Sequence, residues 1–113
     1  MFAMFSIALL ATATTNLADA EVSRVAYSNC LTDYTVEQLD LKTSTSAFKK
    51  AIKSACETER NAMIAAMTKD ELEFGSTQKE ASNYALEEAD GVAFAFSDGY
   101  ASYASSNTRP VKE

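Results

Sequence analysis

The chain of 113 residues has only two cysteines, Cys30 and Cys56, and their placement constrains the fold more than any other feature. Midway between them lies Lys42-Thr43-Ser44-Thr45, a weakly helical polar stretch. A chain folded back at that point brings the two thiols level. In the loop-entropy account, closing about 27 residues stabilises by roughly 3.5 kcal/mol, an amount that native strain reduces. Redox-active pairs usually stand close in sequence. A zinc site needs more ligands than two thiols, and this chain has no His. The spacing therefore favours a structural disulfide over free buried thiols or active chemistry.

An oxidised pair makes sense in an exported protein. Phe2 to Ala11 is an uncharged apolar run of signal-peptide length, too short to span a membrane. Ala18-Asp19-Ala20 fits a small-x-small cleavage site, with Glu21 as the mature N-terminus. No Lys or Arg precedes the run, so an apolar N-terminal helix packed on the core is the competing reading. Residues 1–20 are thus expected to be a leader, 21–104 a helical domain, and 105–113 a flexible tail. The expected address is periplasmic or secreted, with no integral membrane segment once the leader is gone. A formal charge of −6 excludes the basic footprint of a nucleic-acid binder.

One Pro and three Gly leave few breakers, which favours long helices. The expected fold is all-α: a three-helix bundle, or a helical hairpin plus a long third helix, with the disulfide joining the first two helices. Val22, Ala26, Cys30 and Tyr34 give the first helix, from Glu21 to Asp40, its stripe. Leu41 to Thr45 is the turn, and Ser44 or Ser46 caps the second helix. That helix runs from about Ser46 to Met67, or on to Phe74, with Phe48, Ile52, Ala55, Cys56 and Met63 on its apolar face. Gly75 is its stop, although Thr68-Lys69-Asp70-Glu71 also reads as a capping box that restarts the chain.

Thr77-Gln78-Lys79-Glu80 is a second capping box, opening the third helix. Val92 to Tyr103 also fits a hairpin turning at Asp98-Gly99, but its alanine content favours helix. Taking Cys30 beside Cys56 as the register of an antiparallel pair places Tyr34 beside Ile52 and Val22 beside Ile64. The same register sets Asp33 beside Lys53 and Glu37 beside Lys49, pairing acid with base. Exposed pairs of this kind stabilise by no more than about 1 kcal/mol, so they report register rather than strength.

Chemistry is sparse. Ser46-Ala47-Phe48-Lys49 and Ser76-Thr77-Gln78-Lys79 both match S-x-x-K, without the partner motifs of acyl enzymes, and read as helix starts. Lys42, Lys49, Lys50 and Lys53 form either an anion-binding patch or a solvated face paired with Asp33, Glu37 and Asp40. Glu87, Glu88, Asp90 and Asp98 fit no compact oxygen-ligand loop. No catalytic, cofactor or metal site emerges. Gly91, Ala95 and Gly99 would form a smooth ridge for close helix approach, within the domain or between copies in a homo-oligomer. Phe94, Phe96, Tyr100 and Tyr103 exceed what one stripe can bury, so they are the candidate surface for a protein partner.

At Tyr27-x-x-Cys30-Leu31 and Ala55-Cys56-x-x-Glu59-Arg60 the chain resembles small exported two-cysteine helical proteins of alphaproteobacteria. That resemblance implies a helical hairpin and a periplasmic address, and no activity. A looser likeness in kind is to periplasmic acid-stress chaperones, which are also small, helical and clasped by one disulfide. The reading that results is a non-enzymatic binding or structural protein. Its alternative is a stress chaperone or inhibitor-type protein that exposes apolar surface conditionally.

Overall fold

A computed structural model describes the backbone of residues 3–113 and the side chains from Asp19 onward. The elements are α1 (Ala3–Asp40), α2 (Thr45–Ala51), a single 3-10 turn (Ile52–Ser54), α3 (Glu57–Glu73) and α4 (Gln78–Ser106). The fold is all-α, and among the described residues there is no strand. The side chains of the N-terminal apolar run, read above as a leader, lie outside the described residues. None of the described side chains before Tyr27 is buried.

Each boundary has a local cause. At the end of α1, Lys42 takes a left-handed conformation (φ 56°), letting Thr43 N donate to Gln38 O at 3.0 Å and Lys42 N to Leu39 O at 3.1 Å. Ser44 then caps α2 by accepting from Ala47 N. Gly75 closes α3 in the same left-handed manner, and α3 runs through Thr68–Glu71 without the expected restart. Both halves of the Thr77–Glu80 capping box are formed. From there α4 is continuous through Gly91 and Gly99, so the hairpin alternative for Val92–Tyr103 is excluded.

The second predicted helix does not form as one piece. Ala55 is extended and Cys56 is left-handed (φ 57°, ψ 43°), which separates α2 from α3. A non-glycine residue there is strained, and no Gly or Asn marks the site. Cys56 is bonded to Cys30, with Cα atoms 6.1 Å apart, and that bond fixes its position against α1. The local signal lies downstream, where Glu57 and Glu59 occupy the first turn of α3 and suit its positive end.

The break also corrects the register. Before it α2 lies chiefly against α4, while after it α3 packs on both α1 and α4. Neither Asp33–Lys53 nor Glu37–Lys49 forms an ion pair; Asp33 meets Lys112 at 2.9 Å instead. Val22 is 63% exposed rather than packed at Ile64. The buried stripe of α1 is Tyr27, Leu31 and Thr35, with Cys30 and Tyr34 at its edge. Thr35 Oγ1 donates back to Leu31 O at 2.7 Å, which satisfies a hydroxyl in the core.

The centre of the molecule is aromatic. Phe48 of α2 stacks on Tyr100 of α4, with ring centroids 3.9 Å apart, and Tyr34 lies 6.0 Å from Phe48 on the other side. Tyr100 Oη reaches Thr43 O at 2.7 Å and Gln38 O at 3.1 Å. This one side chain therefore ties α4 to the end of α1 and the start of α2. Close helix approach along α4 uses Ala81, Ala85 and Ala89, all fully buried. The expected ridge does not serve this purpose. A methyl at Gly91 would meet nothing within 4 Å, and one at Gly99 only Tyr103 of the same helix.

Removing the Tyr100 hydroxyl leaves Thr43 O without its donor, while Gln38 O keeps the Thr43 amide. Tyr100→Phe is expected to lower unfolding free energy by about 1–2 kcal/mol in a urea melt. Tyr100→Ala, which also empties the stack, is expected to cost about 3–5 kcal/mol.

Candidate functional site

The four aromatics singled out on the third helix separate. Tyr100 is 1% exposed and belongs to the core, so it leaves the candidate surface. Phe96 and Tyr103 are half-buried on the side of α4 that faces α1. Phe94 alone stands out, 66% exposed, on the side that faces α2. The split follows from helical geometry, because residues two apart lie on different faces.

Phe94 borders an open groove of about 420 Å³ between α2 and α4. Ile52 and Ala93 supply its apolar floor, and Lys49, Lys53 and Arg60 stand around it. Arg60 Nη2 donates to Asp90 Oδ1 at 2.8 Å. Burial works against the Arg60 charge, but Tyr27 and Asp90 outweigh it and raise the group above its ordinary value. Arg60 is thus a neutralised wall of the groove.

The lysines are different. Lys42, Lys49, Lys50 and Lys53 have no carboxylate within 4.0 Å among the described residues, since every ion pair lies elsewhere. Of the three acids expected to neutralise them, two are engaged by the C-terminal segment, Asp40 by Arg109 and Asp33 by Lys112, while Glu37 forms no ion pair among the described residues. A chain of net charge −6 therefore keeps an unpaired cationic strip on α2, beside an exposed aromatic ring. Glu87, Glu88 and Asp98 are exposed, and of these three and Asp90 only Asp90 forms an ion pair.

Of residues 105–113, expected as a flexible tail, Ser105 and Ser106 complete α4, and 107–113 lie along α1 in the opposite direction. Arg24 grips Glu113 at 2.7 and 3.1 Å, Glu113 N donates to Asn29 Oδ1 at 2.9 Å, and Lys112 and Arg109 hold the intervening stretch. Pro110 and Val111 flank Phe96 and Tyr103, so the tail shelters the second aromatic face. Sequence spacing carried no signal for this contact, which joins residues 89 apart.

The clasp holds a third group that the cysteine reading missed. Glu59, one turn after Cys56, brings a carboxylate oxygen to within 4.8 Å of both sulfurs. Its Oε2 is buried and has no hydrogen-bond partner among the described residues. The signal was available in Cys56-x-x-Glu59, since residues three apart share a helix face. Neither S-x-x-K match makes a serine–lysine hydrogen bond; Ser76 Oγ turns to Glu71.

The fold and surface define a disulfide-clasped helical bundle with a basic, aromatic groove between α2 and α4. Comparison with known proteins finds no matching family model, no matching curated protein and no matching solved structure.

The Arg24 guanidinium, and after it Ser28, hold the Glu113 carboxyl below its ordinary value. A carboxyl depressed in this way favours the docked state above the ordinary glutamate range and loses that contribution as pH falls through the depressed value. The amide resonances of Val111 to Glu113 are therefore expected to move to random-coil positions in acid. Arg24→Gln is expected to show those positions already at neutral pH. Resonances that hold their place throughout the acid range would mean that other contacts dock the tail.

Proposed function

We propose that this chain is an exported, non-enzymatic binding protein that takes an acidic segment of a partner protein, with an apolar side chain, into the α2–α4 groove. The observation that carries this reading is the juxtaposition of unpaired Lys49 and Lys53 with exposed Phe94. An apolar tip against Phe94 and Ile52 would bury surface. Acids around it would neutralise charge that the chain itself leaves unpaired, which favours encounter and register. The half-open shape suits a protein segment better than an engulfed small ligand.

Export is supported by the disulfide and by the apolar run at the start of the chain. Removal at Ala20 would take away none of the buried described side chains, because the core of α1 begins at Tyr27. No described helix is long and apolar enough to cross a membrane. The non-enzymatic reading rests on the absence of His and of a free cysteine thiol.

Peptide display on the immobilised full chain tests the groove. Enriched sequences are expected to be acidic around a Leu or an aromatic residue, and to be released by salt. Phe94→Ala, and separately Lys49→Glu/Lys53→Glu, should each weaken their binding by about tenfold, or ~1.4 kcal/mol. Enriched peptides indifferent to both variants would remove the groove. Preference for a fatty acid over any peptide would move the site to small amphiphiles.

The docked tail favours a second reading, that of a stress chaperone with conditional exposure. Acid that protonates Glu113 weakens its hold on Arg24, and the tail it anchors shelters Phe96 and Tyr103. On that reading a hydrophobic dye brightens as pH falls below the ordinary glutamate range while far-UV circular dichroism keeps its helical signal. Dye binding that appears only with loss of helix would be ordinary acid unfolding.

A further inference from the structure

A buried carboxylate oxygen without a hydrogen-bond donor is costly; Glu59 carries one, and its carboxylate reaches within 4.8 Å of both clasp sulfurs. In the oxidised chain the sulfurs bond to each other and offer that oxygen nothing. Reduction changes the chemistry of the cluster. A dithiol reductant gives two electrons and two protons to the Cys30–Cys56 bond and leaves as a disulfide, so the chain then carries two thiols beside one carboxylate.

We propose that Cys30, Cys56 and Glu59 form, in this dithiol state, a three-ligand site for a thiophilic divalent cation of the Zn²⁺ class. Binding releases the two thiol protons, and two thiolates and one carboxylate surround the metal, with a fourth position open to water. Tetrahedral zinc with such ligands sets neighbouring donor atoms about 3.5–3.8 Å apart. The Glu59 carboxylate already lies within 4.8 Å of both sulfurs, and the sulfurs, bonded in the oxidised chain, have to part to the tetrahedral spacing once the bond is reduced. The three donors come from two elements, Cys30 from α1 and the other two from the first turn of α3, so the metal would replace the disulfide as the staple between them. Cys56 caps α3 without any side-chain hydrogen bond, and the helix N-terminus favours its thiolate form. The site is independent of the α2–α4 groove, and neither reading stands or falls with the other.

The test uses the full chain, reduced and freed of reductant under anaerobic conditions. Co²⁺ is titrated by its thiolate charge-transfer absorption, and Zn²⁺ by competition with a chromophoric chelator. One metal is expected per chain, with no binding to the oxidised protein and none to Cys30→Ser/Cys56→Ser. Glu59→Gln is expected to weaken binding by about tenfold or more, because an amide oxygen is the poorer ligand. Equal affinity in Glu59→Gln would remove the carboxylate from the site, and equal binding by the oxidised chain would place the metal elsewhere. If reduction alone melts the helices, Zn²⁺ should restore the far-UV signal. A reduced chain that binds no metal and regains no helix overturns the proposal.

Discussion

The bond from Cys30 to Cys56 does more than shorten the unfolded chain. It holds Cys56 in a left-handed conformation that no local residue type favours. That one residue divides what the apolar pattern would otherwise join into a single long helix. Because the chain turns there, α2 swings onto α4 and Phe48 reaches Tyr100. Loop entropy explains why a disulfide stabilises a small domain. It does not explain where the helices go, and here the position of the bond does.

The sequence made legible whatever is set by neighbours within a few residues. The Thr77–Glu80 box, the Gly75 stop and the turn after Asp40 depend on hydrogen bonds between residues three to five apart, so the residue types announce them. The cysteine pair was legible for a different reason, since in a chain with two cysteines each has one possible partner. The helix break was not legible, because Ala55 and Cys56 carry no intrinsic signal and their conformation depends on a bond to another helix. The register failed with it. Asp33–Lys53 and Glu37–Lys49 assumed a straight second helix, and exposed ion pairs are too weak to enforce one.

The candidate site was half legible for a related reason. The sequence collected four aromatics on one helix and could not say which face would meet a neighbour. Period 3.6 puts Phe94 and Phe96 on different sides, and only the positions of α1 and α2 decide that Phe96 is sheltered while Phe94 is left out. Burial of Tyr100 likewise needed knowledge of where Phe48 would lie. The lysines were read as a neutralised face because acids exist at matching distances along the chain. The tail takes two of those acids, with Lys112 on Asp33 and Arg109 on Asp40, and no helical periodicity reports a tail that folds back.

The tail and the groove are therefore linked by charge, although they lie on different faces. Each acid of α1 that the tail engages is one fewer for α2, so docking the tail preserves the cationic strip beside Phe94. Releasing it would leave the already exposed Asp33 and Asp40 unpaired, so that they would add negative potential and diminish the attraction for an acidic partner. The distance dependence of such an effect is set by screening, which fades exposed charges over about 8 Å at physiological salt. The balance between the two faces is thus a property of how few cations this acidic chain has and where it places them.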